Sequence, residues 1–162
     1  MEIKMQDLKI YRDEGIVNSL LIEGQEQVLG FKFPKVYKEL LSKHNGMRLD
    51  NDTFKYYDEA LQKDEENGIY FYVFKNENLR SNYCSGIVGD FSYLDENDFK
   101  EGIIPFGGTG NGDFICFDYR DDLKNDNPKI VLVHHDADDE NGNLIISFLG
   151  NSFEEFMDSL YE

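Results

Sequence analysis

Cysteine is scarce in this chain of 162 residues: Cys84 and Cys116 stand alone, with no CxxC spacing. That excludes a disulfide framework and a zinc ribbon, and leaves two reduced thiols as the expected state. Long apolar runs are missing too. The longest, such as Ile130 to Val133 and Leu144 to Ile146, are strand-sized and far short of the ~20 residues a membrane-spanning helix needs. The first fifteen residues alternate charged with single apolar positions and lack the apolar segment of a signal peptide, so a cytoplasmic location is expected. Proline occurs only at positions 34, 105 and 128, and no repeat, low-complexity tract or Pro/Ser-rich linker divides the chain. One domain over residues 1–162 is expected, large enough for folding to bury roughly 70% of the surface the unfolded chain exposes.

Positive charge is the other shortage. There are 16 Lys and Arg against 33 Asp and Glu, for a net charge of −17. Met1 to Arg48 holds eight basic and seven acidic residues, so everything from Leu49 onward carries eight basic and 26 acidic, a balance of −18. Such a surface repels nucleic-acid backbones and anionic lipid, so neither is expected as a partner; a basic protein fits the charge better. Acidity also maintains solubility, and composition alone leaves that reading open.

What the chain does have is aromatic bulk, 13 Phe and 10 Tyr within 40% hydrophobic residues, enough for a core without metal or cross-links. Leu20, Leu21, Val28, Leu29 and Phe31 suit a short amphipathic helix broken near Gly30. Pro34 then stands where a first helical residue is favoured. Val36, Tyr37, Leu40 and Leu41 share one face, and Lys35, Lys38, Glu39 and Lys43 the other. Asn45-Gly46 can close this helix in the left-handed conformation. From Thr53 the rhythm becomes β-type, with strands expected at Thr53–Tyr57, Ile69–Phe74, Ile103–Phe106, Asp113–Tyr119, Lys129–His134 and Asn143–Leu149. Asp113–Tyr119 carries apolar residues on both faces, the mark of a central strand. Ser152 and Glu155 have capping-box spacing ahead of an apolar stripe of Phe153, Phe156, Met157, Leu160 and Tyr161. The pattern predicts an α+β fold, a mainly antiparallel sheet with helices on one face.

Candidate chemistry is weak at each site. Gly107, Gly108, Gly110 and Gly112 lack the Lys-Ser/Thr pair and following helix of a phosphate loop and read as hairpin glycines. Asp136 to Asn141 offers oxygen ligands, but an EF-hand needs Gly and Glu where Asn141 and Ser147 stand. His134 and His135 alternate faces on a regular strand, which disfavours a shared metal, and no cofactor is expected. No GxSxG elbow is present. A hydrolase with paired carboxylates remains an alternative, because such pairs are set by separation in the fold.

Three segments in order carry a resemblance. Leu29-Gly30-Phe31-Lys32-Phe33-Pro34 running into Tyr37, Leu40, Leu41 and Asn45-Gly46 looks like an "LG-x-x-LP" helix with a terminal NG. Ile104-Pro105-Phe106-Gly107 through Gly112-Asp113 to Phe117-Asp118 is similar to an "IPFG … GD … xxD" hairpin, and Ser152-Phe153-Glu154-Glu155-Phe156 to a closing "SFEEFL" helix. Together they resemble the SUKH superfamily, which includes the yeast cell-wall assembly regulator family and many bacterial immunity proteins. Phe33 replaces a usual Leu, and Trp, which many members carry around the sheet, is absent. The resemblance implies a non-enzymatic α+β protein that binds and neutralises a toxin domain such as a basic nuclease. A regulatory scaffold like the cell-wall branch is the alternative. Asp121, Asp122, Asp136, Asp138, Asp139 and Glu140, at expected strand ends, are the candidate partner-binding residues.

Overall fold

The computed structural model describes residues 8–73 and 102–162. In chain order its elements are β1 (Ile10–Arg12), α1 (Ser19–Leu29), α2 (Lys35–Lys43), β2 (Arg48–Leu49), β3 (Thr53–Asp58), β4 (Lys63–Gly68), β5 (Tyr70–Phe71), β6 (Ile103–Gly108), β7 (Phe114–Asp118), β8 (Lys129–Asp138), β9 (Leu144–Gly150) and α3 (Phe153–Asp158). Cys84 and the Phe74 end of the expected Ile69–Phe74 strand lie outside the described residues.

Each helix starts and stops for a local reason. The Asn18 side chain caps α1 by accepting the Leu20 N–H at 2.8 Å. Gly30, at φ 82, ends it in the left-handed conformation and returns its N–H to the Glu26 carbonyl, which only glycine does without strain. The buried Glu26 carboxylate then accepts the Phe33 N–H at 2.8 Å and pairs with Lys38 at 3.3 Å, tying α1 to the start of α2. Pro34 is the N-cap of α2 rather than its first helical residue, one position earlier than expected. The connection after α2 is held from the N-terminal side: the Asn45 carbonyl accepts the Glu14 N–H and its own N–H donates to the Gly15 carbonyl. Gly46 sits at φ 60, where a Cβ would lie 2.5 Å from Val73 Cγ2. Ser152 caps α3 by accepting the Glu155 N–H at 3.1 Å, and Glu155 reciprocates to the Asn151 N–H.

The main sheet has five antiparallel strands in the order β5-β6-β7-β8-β9, and β1-β2 and β3-β4 form two-stranded ribbons. Strand β7 is central and all five of its residues are buried, as its two-faced apolar pattern predicts. Tyr37 of α2 meets Phe106, Phe117 and Phe153 at ring separations of 5.7, 5.1 and 5.5 Å, and Phe106 stacks on Phe117 at 4.2 Å. Such pairs contribute ~0.5–1.5 kcal/mol each beyond area burial. They lock α2 and α3 onto one face of the sheet. Pro105 interrupts β6 at a register shift, the one kind of interior site where a missing N–H is tolerated. Gly107 and Gly108 let β5 approach: a Cβ on Gly107 would lie 2.8 Å from the Tyr70 carbonyl oxygen, and one on Gly108 2.8 Å from the Tyr70 and Tyr72 hydroxyls. Their role is close packing of strands. The chain ends in backbone pairing, Thr53 and Tyr161 exchanging two hydrogen bonds of 2.9 Å.

Candidate functional site

Strand β8 pairs with β9 through one register shift between Ile130 and Val131, runs regularly from there to Val133, and shifts again before Asp138 meets Leu144. A shift of this kind breaks strict alternation and re-aims side chains. His134 is buried, His135 half-buried and Asp136 exposed. Contrary to the alternation expected of a regular strand, both rings reach one carboxylate, that of Asp113. Its Oδ1 accepts the His135 N–H at 3.1 Å and lies 2.6 Å from His135 Nδ1, and its Oδ2 lies 3.9 Å from His134 Nδ1. Gly112 sits at φ 96, where a Cβ would lie 3.4 Å from His135 Nε2. The Gly112-Asp113 motif thus stitches the β6–β7 turn to the displaced end of β8.

Behind Asp113 the polar cluster runs inward. His134 Nε2 lies 2.8 Å from Ser147 Oγ and 3.6 Å from Asp58 Oδ1. Ser147 also accepts the Glu59 N–H at 3.0 Å, and Asp58 Oδ1 accepts the Ala60 and Leu61 N–H groups at 2.9 Å. Ser147, His134 and Asp113 stand in the order of an acyl-transfer triad. The resemblance ends at access, because Ser147 is 0% exposed and its oxygen already holds a backbone N–H. Asp58 and Asp113 are equally enclosed, with side chains 6% and 4% exposed. The chemistry open to this cluster is internal, fastening the turn after β3 onto β9.

The six acidic candidates form two groups. Asp121 and Asp122 lie in the loop before β8, where Asp121 pairs with Lys129 at 3.1 Å and Asp122 accepts the Lys124 N–H. Asp136, Asp138, Asp139 and Glu140 lie at the far end of β8, a ten-residue strand and hence about 30 Å long. Hydrogen bonds from the Asn143 and Asn141 N–H groups hold the Asp139 carboxyl below its usual range, so Asp139 shapes the hairpin tip. Near the first group, Asp118 binds Arg120 through both oxygens and lies 3.8 Å from Lys129. Burial raises its carboxyl, but the Arg120 contacts and Lys129 outweigh that and hold it below the ordinary value.

A further acidic surface was not foreseen. Ribbon β3-β4 borders an open concavity of about 660 Å³ lined by Lys55, Tyr56, Tyr57, Asp64, Glu65 and Glu66. Strand β4, KDEENG, has no apolar residue to announce it. It is a strand because six consecutive residues pair with β3. Glu66 accepts the Tyr161 hydroxyl at 2.6 Å.

Among the described residues no helix is long and apolar enough to cross a membrane. The architecture is that of an α+β protein whose polar cluster is internal and whose carboxylates project from strand ends and one ribbon. The chain belongs to the SMI1 / KNR4 family (SUKH-1), whose sequence model matches residues 18–159. That range contains the helix and hairpin motifs and all of α3. No curated protein matches the chain. Membership is consistent with an immunity or regulatory protein acting through a protein partner.

Proposed function

We propose that this protein is a non-enzymatic immunity protein that binds a cognate toxin domain, a basic nuclease, and masks its active site. The observation that carries the reading is the −18 balance from Leu49 onward, part of which the described residues carry as exposed carboxylates at the β8–β9 end and on β4. A nuclease needs a basic groove for its phosphate substrate. An acidic inhibitor associates rapidly with such a groove by electrostatic steering and excludes nucleic acid from it. Asp136, Asp138 and Glu140 form the contact end in this reading, and Asp139 supports them by holding the turn. Asp121 and Asp122 form a separate flank.

The test is co-expression with the toxic domain encoded beside the gene, followed by complex formation across a salt series. Growth rescue with a salt-sensitive 1:1 complex supports the reading, and absence of both rescue and binding overturns it. Asp138→Lys with Glu140→Lys should lower the on-rate at least ~10-fold at low salt; an unchanged rate removes this end as the contact.

A further inference from the structure

The side chains of Asp113, His135 and Asp136 bring one donor atom each to within 4.8 Å of one another. We infer that this corner of the β6–β7 turn and the displaced end of β8 is a binding site for a transition-metal dication of the Zn2+ type. Three features beyond proximity point to a ligand. The first is distance: tetrahedral zinc with donors at about 2.0–2.1 Å places them about 3.3 Å apart. His135 Nδ1 lies 2.6 Å from Asp113 Oδ1 and 4.0 Å from Asp136 Oδ1, on either side of that value. The Asp136 side chain is 73% exposed, so it closes the remaining gap by rotating at the surface.

The second feature is a buried imidazole behind the site. The His134 side chain is 4% exposed and is held through Nε2 by Ser147. Its Nδ1 lies 3.9 Å from the second Asp113 oxygen, longer than a hydrogen bond. Movement of Asp113 onto a metal, on the order of 1 Å, would bring that pair into hydrogen-bond range, the outer contact that orients a ligating carboxylate.

The third is charge and donor type. Two carboxylates and a neutral imidazole present −2 within an already acidic chain, which favours a dication and disfavours any anion. One nitrogen and two oxygens suit Zn2+, Mn2+ or Co2+, whereas Ca2+ and Mg2+ take all-oxygen shells. His135 Nδ1 hydrogen-bonds to Asp113 Oδ1; the ion would take the place of the proton between them, which would pass by way of solvent to His135 Nε2, and water would complete the open side. Binding would therefore add stability by tying turn to strand.

The experiment uses the full chain treated with chelator and desalted, titrated with Zn2+ by equilibrium dialysis and calorimetry, with Tm followed in parallel. One Zn2+ per chain, a raised Tm, and at least ~10-fold weaker binding in both Asp136→Asn and His135→Gln support the site. Asp136→Asn is the deciding variant, because so exposed a side chain can change without unfolding the protein, and Asp121→Asn should leave binding unchanged. No binding at about 100 μM free Zn2+, several weak ions unaffected by Asp136→Asn, or equal affinity for Mg2+ would overturn the assignment.

Discussion

Replacing Asp118 by Asn tests how a buried carboxylate anchors the 119–128 end of the sheet. The Asp118 side chain is 0% exposed; its Oδ1 accepts the Arg120 N–H at 3.0 Å and Nε at 2.9 Å, and its Oδ2 accepts Nη2 at 2.8 Å. Asn retains the shape and the backbone bond but turns one oxygen into an NH2 facing the Nη2 donor. Breaking a fully buried ion pair from one side costs about 3–5 kcal/mol. Here the surviving cations stay hydrated, with Arg120 42% and Lys129 34% exposed. The loss falls toward that of charge-assisted hydrogen bonds, about 2–3 kcal/mol, or a Tm lower by about 5–10 °C. Because the folded carboxyl titrates below its unfolded value, the charge stabilises the fold fully above pH ~4, and this contribution is lost as pH falls through the folded pKa. Urea unfolding of both proteins from pH 7 down to pH 3 should show their difference shrinking below pH ~4. A difference under about 0.5 kcal/mol at pH 7, or one unchanged down to pH 3, would refute the anchoring role.

Ser147→Ala leaves His134 Nε2 and the Glu59 N–H without their shared oxygen, and should cost about 1–3 kcal/mol in denaturant unfolding with faster amide exchange at Glu59. Gly107→Ala drives a Cβ to 2.8 Å from the Tyr70 carbonyl oxygen and should cost about 1–3 kcal/mol; Gly110→Ala, with nothing within 4 Å of its Cβ, should leave Tm nearly unchanged. Tyr37→Ala removes the ring shared by Phe33, Phe106, Phe117 and Phe153 and should cost about 3–5 kcal/mol, read as a fall in the urea midpoint.

What could be read from the sequence was whatever burial makes periodic. The apolar stripe of α2, the capping spacing of Ser152 and Glu155, and the two-faced apolar run of β7 each declare an element and its place, because each buries a face. Strand β4 buries little and is held by its ladder to β3, so its residues carry no such signal. The rings of His134 and His135 meet at Asp113 through a register shift, which the period-two rule cannot anticipate. The six acidic residues stand at expected strand ends, but sequence counts charge without saying which end of a strand displays it. β8 separates them by its own length.

Among the described residues every neighbour in the five-stranded sheet is also the next strand in the chain, so none of these strands must be threaded between two others formed earlier. Lengthening the 119–128 loop or the 139–143 tip would change loop-closure entropy by only about 0.6 kcal/mol per doubling. Pairing registers and the aromatic layer beneath them would stay as they are. Such a frame tolerates rapid change at its tips, so new partner specificities can arise there without the fold being solved again.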